Sequence, residues 1–332
     1  MPSPETMRIL SLAGGGYLGL FTAVTLAALE ARVGEPLGRR FDLIAGTSVG
    51  GILAIGLAYE VPMQSMVDLF REKGRQVFSA RALPSGAIGR MVDLSRSVLS
   101  PKYSGEALRL ALEQELGTRT LGEALHPVVI PAVNVTRSLT KIFKTPHSAA
   151  SRGDEALRAV DVAMATCAAP GYFPAVRIGD DLFADGGMFA VAPDMVALHE
   201  AGHFMKVSAA RVRMLSIGTA TGAYRPSGGA RSDDGAVAWF RDGRLLLTLV
   251  SVQQQHVQAM MEDRLGERYL HIDASWPEDA GLGIDVATPE ASQILSALAR
   301  AAVDGTDSQA LETFLQARPR AVRSAPPHIS FP

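Results

Sequence analysis

Short, continuous apolar runs alternate along the chain with longer segments in which apolar residues recur at helical spacing. The short runs predict buried strands, and the helical spacing predicts helices that pack against them. Predicted strands lie at 9–12, 43–45, 128–135, 141–144, 213–217 and 269–272, with a short β segment within 176–183. Predicted helices lie at 20–31, 49–59, 63–78, 104–116, 154–168, 195–202, 245–265, 290–303 and 306–317.

The first strand is followed by a glycine-rich junction to which two functions fit. Gly14, Gly16 and Gly19 satisfy the dinucleotide-binding pattern G-x-G-x-x-G. The N–H groups of Gly14, Gly15 and Gly16 are equally suited to an oxyanion hole. The nucleotide pattern also needs an acidic residue at the end of the second strand, whereas Asp42 stands at its beginning. No Lys-Ser or Lys-Thr follows the loop, which excludes a Walker-type phosphate loop.

The segment that joins the second predicted strand to the following helix contains a predicted nucleophile. Gly46, Ser48 and Gly50 form a G-x-S-x-G elbow between the strand at 43–45 and the helix at 49–59, which is apolar on all sides. Such a turn exposes the serine hydroxyl in a cleft, and its tightness leaves no room for a Cβ at the flanking positions. Ser48 is therefore the predicted nucleophile, and its proximity favours the oxyanion hole over the nucleotide site.

Asp185 is the predicted general base. It follows the short β segment and precedes Gly186 and Gly187. An aspartate before two glycines is often only a turn residue, but a chain with an elbow and a glycine loop also needs a base. A late histidine is the usual alternative, although none stands in a glycine-bounded loop after a strand. The downstream candidates considered are His199, His203, His256, His271 and His328.

The amino-acid composition excludes several classes of protein. A hydrophobic fraction of 47% supplies a substantial core, and a net charge of −2 argues against a nucleic-acid partner. The single cysteine, Cys167, excludes an internal disulfide and a cysteine-based zinc site, and we expect a buried structural thiol. We predict no metal and no cofactor. Without an apolar signal core at its beginning, the chain is expected to be soluble and cytoplasmic, with peripheral contact to membrane.

Together, the glycine loop, the elbow and the Asp185-Gly186-Gly187 motif resemble those of the patatin-like phospholipases, over most of residues 8–220. The resemblance implies a three-layer α/β/α fold with a central, mostly parallel sheet. It also implies a Ser48/Asp185 dyad in place of a triad and a phospholipase A type of ester hydrolysis. One patatin-like domain would then fill residues 1–332, with C-terminal helices at 240–318 and a flexible tail at 319–332. Two departures, Ala13 and Leu18, replace an aspartate and a basic residue usual in the family and leave the head-group preference open.

A narrower resemblance connects the chain with the patatin-like effectors of bacterial antiphage systems. It implies activation by a cyclic dinucleotide such as cGAMP and degradation of membrane phospholipid at the inner face of the membrane. The basic and loop-like segments 71–102 and 221–235 are the hypothetical sites for that ligand or for a lid. An ungated soluble carboxylesterase and a non-catalytic nucleotide-binding module remain alternatives, and a homo-oligomer remains open.

Overall fold

The computed structural model describes residues 6–78, 101–149, 151–222, 224–225, 235, 239, 243–276 and 280–315. The hypothetical ligand or lid segments at 71–102 and 221–235 lie mainly outside these residues, as does the predicted tail at 319–332.

A mixed sheet organises the described part of the chain. Its order is β5-β6-β3-β2-β1-β7-β8, with β4 paired to β3. The pairings from β3 through β2, β1 and β7 to β8 are parallel, while β4 and β6 are antiparallel to β3 and β5 is antiparallel to β6. The strands are β1 (Met7–Leu12), β2 (Leu43–Gly46), β3 (Val128–Asn134), β4 (Leu139–Lys144), β5 (Val176–Ile178), β6 (Asp181–Asp185), β7 (Val212–Ile217) and β8 (Tyr269–Ile272).

Helices cover both faces of this sheet, which confirms the predicted three-layer α/β/α fold with a mostly parallel sheet. The described helices are α1 (Gly19–Val33), α2 (Val49–Ala58), α3 (Met63–Val77), α4 (Glu106–Leu116), α5 (Ala159–Thr166), α6 (Asp194–His199), α7 (Arg244–Leu265), α8 (Pro289–Gly305) and α9 (Ser308–Leu315).

Alternation along the central strands divides the core between the two faces. In β1, Ile9 packs with residues of α6 and α7, whereas Leu10 packs with residues of α1, α2 and α3. Leu43 and Ile44 divide in the same way in β2. The strands are therefore apolar on both sides, as strands between two helical layers must be.

Two helices account for the most apolar segments. All of α2 is buried, as its uniformly apolar sequence predicts. The stretch Gly16–Val33 is long and apolar enough to cross a membrane, but 61% of it is buried inside the fold. Because α1 packs against α3 and α8, its apolar composition is explained by burial in the core.

Two helix predictions need correction. Helix α5 begins at Ala159, not at 154, because Asp154 accepts hydrogen bonds from Lys141 Nζ at 2.7 Å and from the Lys144 N–H at 3.1 Å. These bonds fasten the preceding segment to β4. The helix predicted at 195–202 ends its α-helical part at His199 and continues as a π-helical turn, Glu200–Phe204.

Candidate active site

The elbow holds Ser48 in a conformation that few side chains adopt. Its φ is 54° and its ψ is −127°, between the end of β2 and the start of α2. The turn is so tight that a Cβ at Gly46 would meet the Gly50 carbonyl, and one at Gly50 would meet the Leu12 carbonyl. This strain is typical of a functional residue, since it costs energy that a structural turn would avoid.

The sheet topology brings Asp185 to the elbow. One edge of β3 pairs first with β2, at Val128 and Val129, and then with the antiparallel β6, at 132–134. The carboxyl ends of β2 and β6 therefore meet head to head beside β3. Pro131, which has no N–H to donate to a neighbouring strand, lies where the edge passes from one partner to the other.

Ser48 and Asp185 are in direct hydrogen-bond contact. The Ser48 Oγ donates to Asp185 Oδ2 at 2.7 Å. The other carboxylate oxygen, Oδ1, accepts from the Gly187 N–H at 2.6 Å, and the Asp185 N–H donates to the Ala168 carbonyl at 3.0 Å. The carboxylate is thus held from both sides, with one oxygen aimed at the serine.

Burial changes the acidity of the Asp185 carboxyl. Asp185 is only 6% exposed, and this desolvation raises the pKa of its carboxyl to about 6. Hydrogen bonds from Gly187 and Ser48 act in the opposite direction but do not cancel the effect of burial. A carboxylate with a raised pKa is a stronger base toward the serine proton than an exposed aspartate.

The glycine loop lies against the elbow, but its three N–H groups are not equivalent. A Cβ at Gly14 would lie 3.1 Å from Ser48 Cβ, so the loop contacts the serine. The Gly14 N–H is already bonded to the Val191 carbonyl at 2.9 Å. Within the described part of the chain, the N–H groups of Gly15 and Gly16 have no acceptor. Of the three predicted donors, the Gly14 N–H is therefore occupied in this structure, and those of Gly15 and Gly16 remain available.

Close packing explains why other positions of these motifs are occupied by glycine. Gly16 has a φ of +60°, and a Cβ there would meet the Ile284 carbonyl. A Cβ at Gly19 would lie 2.5 Å from Val49, and one at Gly186 would meet the Pro131 carbonyl. Gly19 thus permits a close approach between the glycine loop and the elbow, while Gly16 and Gly186 leave room for backbone carbonyls of neighbouring segments.

Two buried threonines that we did not single out from the sequence position the elbow. The Ser48 N–H donates to Thr166 Oγ1 at 2.9 Å, and that hydroxyl donates to the Pro131 carbonyl at 2.6 Å. The Thr47 hydroxyl donates to the Ala190 carbonyl at 2.6 Å. A polar residue directly after the apolar run 162–165, as Thr166 is at the end of α5, was the signal available in the sequence.

Helix α7 contributes a further residue that the sequence did not reveal. Gln253 Nε2 donates to the Gly187 carbonyl at 3.2 Å, and its Oε1 accepts from the Val191 N–H at 3.2 Å. The same turn accepts the Gly14 N–H through the Val191 carbonyl. Gln253 therefore fixes the turn from Gly187 to Val191, which contacts both Asp185 and the glycine loop.

The alternative histidines and Asp42 make other contacts, whereas Cys167 adjoins Ser48 and Asp185. No histidine in the described ranges bonds to Ser48 or Asp185; the rings of His199 and His203 stack on each other with centroids 5.2 Å apart. Asp42 accepts the Arg8 N–H at 2.7 Å, at the opposite end of the sheet from the glycine loop. Cys167 is buried, and desolvation together with the Asp185 charge raises the pKa of its thiol, as expected for a structural cysteine.

Comparison with known proteins identifies the family to which the chain belongs. The family model for patatin-like phospholipases matches residues 10–198. A protein of Pseudomonas aeruginosa named cGAMP-activated phospholipase is 39% identical, over 93% of this chain and 87% of its own. A Vibrio cholerae protein of the same name is 32% identical, over 95% of this chain and 98% of its own. The chain belongs to the patatin-like phospholipase family and is a lipid acyl hydrolase.

Proposed function

We propose that this chain is a phospholipase A that uses a Ser48/Asp185 dyad and is activated by a cyclic dinucleotide such as cGAMP. The observation that carries the chemistry is the 2.7 Å hydrogen bond from the strained Ser48 to Asp185. Membrane phospholipid is the proposed substrate and antiphage defence the proposed setting. The enzyme would act from the cytoplasm at the inner face of the membrane.

Acyl transfer follows from the dyad in two steps. Asp185 accepts the Ser48 proton as Oγ attacks the ester carbonyl, and the proton passes to the leaving lysophospholipid oxygen as the ester bond breaks. Water then donates a proton to Asp185 and attacks the acyl-serine carbonyl. The fatty acid leaves, and the proton returns to Ser48. The two steps together consume one water and one ester.

The negative oxygen that forms in each step needs donors close to Ser48. We assign this role to the N–H groups of Gly15 and Gly16, whose loop contacts the serine. The amino end of α2, which begins at Val49, also favours negative charge at this position. Loss of one oxyanion donor typically costs about 2.7 to 4 kcal/mol of transition-state stabilisation.

Activation by a cyclic dinucleotide is supported by the relatives. Three proteins named cGAMP-activated phospholipase, from Pseudomonas aeruginosa, Vibrio cholerae and Escherichia coli, align with 93–95% of this chain. These alignments extend well beyond residue 198, where the family model ends. Of the two hypothetical ligand or lid segments, 221–235 lies in this C-terminal part and 71–102 lies within the family-model match.

The segments 71–102 and 221–235 remain our hypothetical sites for the ligand or a lid, and the described ends of 71–102 include basic residues. Lys73 and Arg75 lie near the end of α3. Charge reversal by Lys73→Glu and Arg75→Glu is expected to weaken cGAMP binding in a calorimetric titration. Undiminished binding would remove this segment from consideration.

The function is tested by fatty-acid release from phospholipid vesicles. Wild type, Ser48→Ala and Asp185→Asn would each be assayed with and without a panel of cyclic dinucleotides. We expect release only from wild type and only with one nucleotide. Release without nucleotide would indicate an ungated lipase. Hydrolysis of short dissolved esters alone would indicate a carboxylesterase, and nucleotide binding without any hydrolysis would indicate a binding module.

A further inference from the structure

Exposed apolar side chains lie beside the turn that follows Asp185. Met188 is 55% exposed and Phe189 is 38% exposed. They are the two residues after Gly187, whose N–H donates to the Asp185 carboxylate. A concentration of large apolar side chains in water points to a binding surface, and here it adjoins the reacting groups.

Helix α7 extends this surface. Leu249 is 45% exposed and Val252 is 57% exposed. Together with Gln253 they occupy positions i, i+3 and i+4, so the three side chains share one face of the helix. Gln253 is bonded to the turn at Gly187 and Val191, which places this face next to that turn. We call Met188, Phe189, Leu249 and Val252 the apolar rim.

The charges around the apolar rim suit a phospholipid surface. Residues 186–193 and 244–261 contain no aspartate or glutamate, so no carboxylate of these segments would repel lipid phosphates. At the start of α7 the Arg244 guanidinium lies 5.0 Å from the ring centroid of Trp239, which is 36% exposed. Tryptophan and arginine are residues whose apolar bodies and polar ends suit the boundary between lipid and water.

We infer that the apolar rim inserts into the outer part of a phospholipid bilayer and holds Ser48 at the lipid surface. The inference rests on the proposed function in that the bilayer is the substrate. Continuity with the dyad is the reason for choosing lipid as the partner. Only two residues separate Asp185 from Met188, so an inserted rim shortens the path of an ester bond from the bilayer to the serine.

Vesicle sedimentation tests this surface without any hydrolysis. Full-length chain carrying Ser48→Ala would be mixed with vesicles of equal parts phosphatidylethanolamine and phosphatidylglycerol, with and without cGAMP. Adding Leu249→Ser and Val252→Ser is expected to lower the partition coefficient at least about tenfold, because two inserted aliphatic side chains are lost. The matched control adds Leu110→Ser and Leu139→Ser, which are 61% and 59% exposed and lie outside the rim.

The possible outcomes distinguish membrane binding by the apolar rim from hydrolysis of the lipid. Loss of vesicle binding by the rim variant alone supports the inference. Equal partition of rim variant and control, or no partition of the parent chain in either condition, overturns it. Circular dichroism melts of the three proteins show whether the serine substitutions leave the fold intact. A failure of wild type to hydrolyse any lipid would count against the proposed function, while the sedimentation result would still decide the rim.

Discussion

At the scale of single residues, Asp185 has an environment that a structural turn residue would not need. Its carboxylate is buried, and among the residues that the structure describes its hydrogen bonds come only from Gly187 and Ser48, with no cationic partner. Burial of a carboxylate without a cation destabilises its charged form, which is why its pKa is raised. Burial of this carboxylate therefore costs folding stability, and it brings the pKa of Asp185 closer to neutral pH, as suits a general base.

The raised pKa predicts the pH dependence of activity. Since Asp185 accepts the serine proton only when ionised, kcat/KM is expected to fall below pH of about 6, by about tenfold per pH unit. The measurement is the pH profile of hydrolysis of a dissolved short-chain ester, which avoids changes in the lipid surface. An acid limb near pH 4 would show that the carboxyl is not desolvated in the working enzyme.

At the scale of elements, the sequence predicted the parts of the site better than their arrangement. The elbow, the glycine loop and the strand before Asp185 could be located because each combines an apolar run with glycines. The meeting of β2 and β6 on one edge of β3 could not, because pairing partners are set by tertiary packing and not by local pattern. For the same reason nothing in Gln253-Gln254-Gln255 indicates which glutamine reaches the site.

Gln253 of α7 provides a test of how the turn after Asp185 is positioned. Gln253→Ala removes both bonds to the turn at Gly187 and Val191 and is expected to lower kcat about tenfold, a change of about 1.4 kcal/mol in the barrier. The acid limb of the pH profile should also move, since Gly187 is bonded to Asp185. Gln255→Ala is the matched control, because Gln255 bonds to Ser251 within the same helix. Equal kinetics for the two variants would remove Gln253 from the positioning residues.

A second element-scale prediction concerns stability at the opposite end of β3. Glu200 is buried and accepts from Lys144 Nζ at 2.5 Å and from His147 Nε2 at 3.1 Å. Glu200→Gln leaves Lys144 without its countercharge and is expected to lower the free energy of unfolding by about 2 to 4 kcal/mol. Urea denaturation measures this, with the exposed Glu290→Gln as control. A loss no larger than that of the control would contradict a structural role for the cluster.

The same cluster predicts a pH dependence of stability. Burial alone would raise the pKa of Glu200, but hydrogen bonds from His147 and Lys144 outweigh it and lower the pKa below its ordinary value of 4.5. A lowered carboxyl pKa stabilises the fold above the ordinary value, and this stability is lost as pH falls through the folded pKa. Wild type should therefore lose more stability than Glu200→Gln on acidification below about pH 4.5.

At the scale of the whole molecule, the part of the chain beyond the family-model match completes the site. The Ile284 carbonyl accepts the Tyr17 N–H at 2.7 Å beside the glycine loop, and Gln253 fastens the turn after Asp185. Helix α8 packs on α1, which leads out of that loop. A ligand bound in this region would therefore have a direct structural connection to both motifs.

If cGAMP activates the chain by binding to it, cGAMP is expected to stabilise the folded state. A ligand that binds only the folded state adds about 2.7 kcal/mol at one hundred times its Kd, so the Tm should rise with cGAMP concentration. Differential scanning fluorimetry would measure this, with the linear dinucleotide as control. Equal shifts with the two ligands would indicate non-specific nucleotide binding, and no shift with either would contradict activation by cGAMP.

The central claim is that Ser48, activated by Asp185 without a histidine, forms the acyl-enzyme. Covalent labelling with a fluorophosphonate, followed by intact mass and peptide mapping, tests it most directly. We expect one adduct, on Ser48, in wild type and none in Ser48→Ala. Asp185→Asn should react at least about a thousandfold more slowly, as expected when a nucleophile loses its base. An adduct on another residue, or an undiminished rate in Asp185→Asn, would contradict the dyad.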